Sequence, residues 1–129
     1  MAASTMILCD TNILIEFYTN NQNIIQTLRG IGQENLGISV ITQAELYYGA
    51  LNKRELQKIK QHLSLLHHYP IDISVSKLFL ELMETYVLSQ KLSIPDALIA
   101  GTAMIHNVEL YTLNLKDFRY FPELKIYTP

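Results

Sequence analysis

The apolar run Met6-Ile7-Leu8-Cys9 stops abruptly at the polar triplet Asp10-Thr11-Asn12. A short, continuously apolar segment closed by a polar turn suits a strand buried on both faces, as in parallel sheets. Parallel strands need long crossovers, usually helices. The downstream pattern supplies them. Helices are predicted over 12–18, 23–29, from Thr42 to about Leu51, 54–66, 75–89 and from Pro95 to about Ile105, where proline is tolerated in a first turn. Further strands are predicted at 36–40, 109–112 and 124–127, with 70–73 a connector or short strand. Alternation of this kind implies an α/β layered fold around a parallel sheet. Ligands of such sheets bind outside the carboxyl ends of the strands, where Asp10 stands.

The chain has 129 residues, 49% hydrophobic and 17% charged, which suits a single domain over 1–129 with a substantial core. Residues 1–5 read as an extension, with Met6 as an alternative start. Cys9 is the single cysteine, so no internal disulfide or thiolate zinc cluster can form. The first residues lack the basic and apolar regions of a signal peptide, and 97–105 is too short to span a bilayer. The expected location is the cytoplasm. Net charge is −2. A broad basic nucleic-acid footprint is therefore not expected, and a phosphate-bearing ligand would need a local site or bound cations.

Four places carry candidate chemistry: Asp10-Thr11-Asn12; Glu45 within Thr42-Gln43-Ala44-Glu45-Leu46; Asp96 within Ile94-Pro95-Asp96-Ala97-Leu98; and Thr112-Leu113-Asn114-Leu115-Lys116-Asp117. Glu45 and Asp96 sit among apolar residues with no Lys or Arg within four positions. An unpaired buried carboxylate costs several kcal/mol or more, on the order of what Born solvation predicts after relaxation. Either these side chains face solvent or they converge on a cation, and oxygen ligands favour hard ions such as Mg²⁺ or Mn²⁺. Each place also has a purely structural explanation. Asp10 and Asn12 suit an Asx turn or cap. Thr42-x-x-Glu45 matches a capping box. Ser93-x-x-Asp96 suits a helix N-terminus, and Asn114 and Asp117 suit a turn or cap.

As a set, the stretches ILCDTNILIE, SVITQAELYYGA, IPDALIAGTAMIHN and LYTLNLKDF resemble the PIN-domain ribonucleases, in particular the VapC-type toxins of toxin–antitoxin pairs. The resemblance covers nearly the whole chain in the family's order. It implies an α/β/α sandwich with a short parallel central sheet and acids at its carboxyl edge. It also implies one or two Mg²⁺ or Mn²⁺ ions, cleavage of RNA, a cognate antitoxin and a homodimer. Carried over, Asp10, Glu45 and Asp96 are the metal-binding core acids, with Thr11, Asn12 and Thr112 supporting them. The family's usual T-x-D places an acid where this chain has Asn114, so either Asn114 or Asp117 completes the catalytic set. The number of metals turns on that choice.

The expected chemistry is metal-assisted phosphodiester hydrolysis. Lys116 and Arg119, beside the fourth motif, are candidate phosphate contacts. Lys53, Arg54, Lys58 and Lys60 read as a solvated helix face. His62, His67, His68 and His106 lack a ligand spacing and read as surface or connector residues. Cys9 reads as an inert core residue, and Tyr47 and Tyr48 as packing residues rather than base-stacking ones. Two other readings remain. An aspartate phosphotransferase would also use an Asp after the first strand, but commonly shows D-x-D where Asn12 stands. A PIN module without catalysis, binding RNA or a protein partner, would fit the Asn114 departure.

Overall fold

The computed structural model describes residues 6–129; the reading of residues 1–5 as an extension lies outside the described residues. Strand β1 (Ile7–Cys9) is followed by α1 (Thr11–Tyr18), α2 (Gln22–Ile31), β2 (Leu36–Ser39), α3 (Val40–Tyr48), α4 (Lys53–Leu63) and β3 (His67–Tyr69). Then come α5 (Ile73–Gln90), α6 (Ile94–Ile105), β4 (Glu109–Tyr111) and α7 (Leu115–Phe118). The strands lie in the order β3-β2-β1-β4, all parallel. The chain builds outward from β1 through β2 to β3, then returns to pair β4 on the other side of β1. That reversal leaves a crevice at the carboxyl ends of β1 and β4.

Alternation along the strands divides the core into two layers. Ile7 and Cys9 point to one face and pack with Ile13, Leu28, Ile38 and Leu63. Leu8 points to the other and packs with Leu110, Ala97, Ala100 and Phe118. Thus α1, α2 and α4 cover one face, and α5, α6 and α7 the other. The chain is an α/β/α sandwich, as the motifs imply.

Local chemistry sets the helix starts. Asp10, Asn21, Ser39, Asn52, Asp72 and Ser93 each cap a helix, their side-chain oxygens accepting backbone N–H groups. Pro95 sits in the first turn of α6, as expected.

Two details of the strands differ. The segment at 70–73, open between connector and strand, is a connector: β3 lies just before it and ends at Tyr69, and Asp72 then caps α5. The last predicted strand is a single parallel bridge between Leu110 and Ile126. It is closed by Leu110 N–H donating to the Lys125 carbonyl and Tyr127 N–H to the Leu110 carbonyl, both at 2.8 Å. At 36–40 the strand passes straight into a helix, because Ser39 caps α3 and makes Val40 its first residue.

The histidines are more embedded than a surface reading allows. His62 stacks on Phe17 with ring centroids 5.1 Å apart, and its Nδ1 lies 2.7 Å from Tyr18 Oη. His106 packs against Tyr69, the ring centroids 4.8 Å apart. His67 and His68 are exposed strand residues. Among the described residues, no helix is long and apolar enough to cross a membrane.

Candidate active site

Asp10 is the first residue after β1 and is 5% exposed. Its backbone N–H donates to the Tyr111 carbonyl at 2.9 Å, so the β1–β4 pairing fixes its position. Its Oδ1 accepts from Thr11 N–H at 2.8 Å, which caps α1. Its Oδ2 accepts from the Thr112 hydroxyl at 2.7 Å. Thr112 in turn accepts from Asn114 N–H at 3.0 Å. Asp10 is therefore a helix cap, as one local reading holds, and also the fixed centre of the crevice.

Glu45 decides between two local readings. In a capping box it would reach back to Thr42 N–H. Instead, Ser39 caps α3 and its Oγ accepts from Thr42 N–H at 3.2 Å. Glu45 lies beyond the first turn, half-buried, and its Oε1 accepts from Thr11 Oγ1 at 2.7 Å. Thr11 Oγ1 is also 3.0 Å from Thr42 Oγ1. A hydroxyl carries one proton. The carboxylate takes that of Thr11, so Thr42 donates to Thr11, and a relay runs Thr42 to Thr11 to Glu45. Thr42 is fully buried and had been legible only as a cap residue.

Asp96 stands in the first turn of α6, its N–H donating to Ser93 Oγ at 3.2 Å. The N-terminal end of a helix dipole favours negative charge there. Even so, its carboxyl is pushed up to about 6, first by burial, then by the charge of Asp10, with Asp117 and Glu45 adding to it; the Ser93 hydroxyl works in the opposite direction. Asp10 is raised as well, chiefly by burial, against the lowering effect of Thr112 and of Thr11 N–H; Glu45 and Asp117 raise it further.

Four of the expected residues, Asp10, Glu45, Asp96 and Asp117, thus lie within electrostatic reach of the same crevice. Asn114 lies beside them through its backbone bond to Thr112, at the start of α7. Asn12 is half-buried, and its Oδ1 is buried with no hydrogen-bond partner among the described residues. Lys116 and Arg119 are exposed on and just after α7. Tyr120, which the motifs did not suggest, borders the cluster: its phenol is raised by burial and then by Asp96 and Asp117. Cys9 is fully buried, and burial pushes its thiol up to about 12, so it is inert at neutral pH.

The donor set consists of carboxylate, amide and hydroxyl oxygens, which suits a hard divalent cation. Among the described residues no group of three or more His, Cys, Asp and Glu side chains is arranged to hold a metal ion. Mg²⁺ does not need such a group, since it keeps several waters and commonly uses one or two protein carboxylates. The donor chemistry suits such an ion, and Asp10, held on both carboxylate oxygens, is the carboxylate fixed most firmly in place.

A family model for the PIN domain matches residues 7–124. The chain belongs to the PIN-domain family. The match spans all four motifs. Ribonuclease VapC from Rickettsia bellii (strain RML369-C) is 26% identical over 130 residues, covering 95% of each chain. Among solved structures, a toxin–antitoxin complex from Klebsiella pneumoniae is 33% identical with a TM-score of 0.80, over 95% of this chain and 97% of that one. VapBC2 from Rickettsia felis, bound to a DNA fragment from their promoter, is 26% identical with a TM-score of 0.76, over 95% and 97%. The resemblance to VapC-type PIN proteins read from the motifs is borne out by these relatives.

Proposed function

We propose that this PIN-domain chain is a VapC-type endoribonuclease, the toxin of a toxin–antitoxin pair, and that it hydrolyses RNA phosphodiester bonds with Mg²⁺ or Mn²⁺. The observation that carries the reading is the burial of Asp10 at a strand end with two further acids, Glu45 and Asp117, acting on it. Buried like charges persist where a cation offsets them. Asp10, Glu45 and Asp96 would hold the ion, with Asn114 or Asp117 completing the set. A divalent cation there activates water and offsets phosphate charge.

The chain's own residues do the rest. Asp10 is locked on both oxygens, so it holds one position throughout. Thr11 occupies Glu45 Oε1 and leaves Oε2 to orient the attacking water and accept its proton. Asp96, in the first turn of α6, would flank the scissile phosphate together with Glu45 of α3. Lys116 and Arg119 contact flanking phosphates. The relatives described as toxin–antitoxin complexes support a cognate antitoxin as partner, and a homodimer of single-domain protomers completes the proposal.

The test is cleavage of single-stranded RNA by the full chain with Mg²⁺ or Mn²⁺. Loss of cleavage with chelator, with Asp10→Asn and with Glu45→Gln, in variants that keep the native circular dichroism, supports the reading. Cleavage that survives both chelation and Asp10→Asn refutes it.

A further inference from the structure

Beside the acidic site, α1 and α3 each carry a site residue followed one helical turn later by an exposed apolar one. On α1 these are Thr11 and Ile15; on α3 they are Glu45 and Tyr48. With Ala44 they line an open cavity of about 470 Å³. Ile15 is 48% exposed and Tyr48 is 94% exposed. Tyr47 has an ordinary structural role, accepting from Gln43 Nε2 at 2.7 Å and packing on the core. Packing does not account for Tyr48: it stands almost wholly in water and lines the same cavity as Glu45.

We propose that this cavity is a nucleobase subsite, in which the base next to the scissile phosphate stacks on Tyr48 with Ile15 beneath it. The proposal rests on the nuclease reading and names how that site takes its substrate. Continuity favours a base: Thr11 and Glu45 belong both to the acidic cluster and to this cavity, so a strand with its phosphate at the acids must send a neighbouring nucleotide toward Tyr48 or away from it. Charge favours a base as well. The chain carries net charge −2, so little affinity comes from a basic surface, whereas stacking on an aromatic ring is independent of charge and tolerant of sequence. Unpaired RNA offers bases free to stack on such rings.

The experiment uses short single-stranded RNA carrying a fluorescent aminopurine at each position in turn, bound to the full chain with Asp10→Asn to prevent cleavage. The expected result is quenching at one position, lost with Tyr48→Ala together with about a tenfold loss of affinity, and both retained with Tyr48→Phe. RNA binding that Tyr48→Ala leaves unchanged overturns the subsite alone. Tyr48-dependent quenching in a chain whose Asp10-intact form cleaves no RNA keeps the subsite and overturns the nuclease reading. No RNA binding by the Asp10→Asn chain overturns both. If Tyr48→Ala dissociates a dimer and leaves the quenching intact, Tyr48 belongs to an interface between copies and the subsite falls.

Discussion

Thr112 Oγ1 donates to Asp10 Oδ2 at 2.7 Å across 102 positions of sequence. This bond ties the end of β4 to the end of β1 and fixes the carboxylate at the point where the sheet reverses its order. It also lowers the pKa of Asp10 against a rise caused by burial.

Removing that donor with Thr112→Val raises the Asp10 pKa further and frees one carboxylate oxygen. A hydrogen bond to a charged group is worth about 1.5–3 kcal/mol, so cleavage at neutral pH falls by about tenfold or more. The acid limb of the pH–rate profile moves to higher pH. Thr112→Ser restores both. An unmoved acid limb in Thr112→Val shows that the hydroxyl does not act on Asp10.

The pH dependence of stability follows from Asp96, whose carboxyl lies at about 6 against an ordinary 3.8. The folded chain holds this proton more tightly than the unfolded one. Its contribution to stability is complete below the ordinary value and is lost as pH rises through about 6. In chelator, Tm should fall across that window, and Asp96→Asn should flatten the slope. Asp10, also raised, leaves a residual slope. His62, lowered by burial, acts in the opposite direction, so the decisive comparison is between the two chains: a slope that Asp96→Asn leaves unchanged contradicts the assignment.

Thr42→Val removes the terminal donor of the relay to Glu45. A neutral hydrogen bond contributes about 0.5–1.5 kcal/mol, so activity falls by about twofold to tenfold. Thr42→Ser retains it. Partners in one network are not additive, so Thr42→Val adds little once Thr11→Val is present. Rate measurements on the four members of this cycle check the relay; fully additive effects refute it.

Gly37→Ala probes the sheet rather than the site. A Cβ there would lie 2.5 Å from Tyr69 Cε2 and 3.2 Å from the His67 carbonyl oxygen. Overpacking of this kind costs about 1–3 kcal/mol. The midpoint of urea unfolding should fall accordingly, and an unchanged midpoint would mean that Tyr69 swings away freely.

Much of this was legible in sequence because it is local. The run Met6–Cys9 ending at Asp10 marks a buried strand, and Ser93-Ile94-Pro95 marks a helix start. Glu45 was ambiguous for a local reason: Thr42-x-x-Glu45 has the spacing of a capping box whether or not the helix begins at Thr42. The last strand is shorter than predicted and β3 lies just before the 70–73 segment, because a strand there depends on an edge to pair with, which periodicity does not record.

The sequence by itself determined the α/β class and the burial of the first strand on both faces, and it singled out the candidate acids, because these follow from polarity pattern and residue chemistry along neighbouring positions. Only the tertiary structure decided what those acids do to one another. Ser39 fixed the register of α3 and turned Glu45 toward Thr11, and the reversed strand order set Thr112 against Asp10. Burial and mutual charge then raised Asp96 to about 6. These are effects of distance and dielectric between residues far apart in the chain, and both quantities come into existence only when the chain folds.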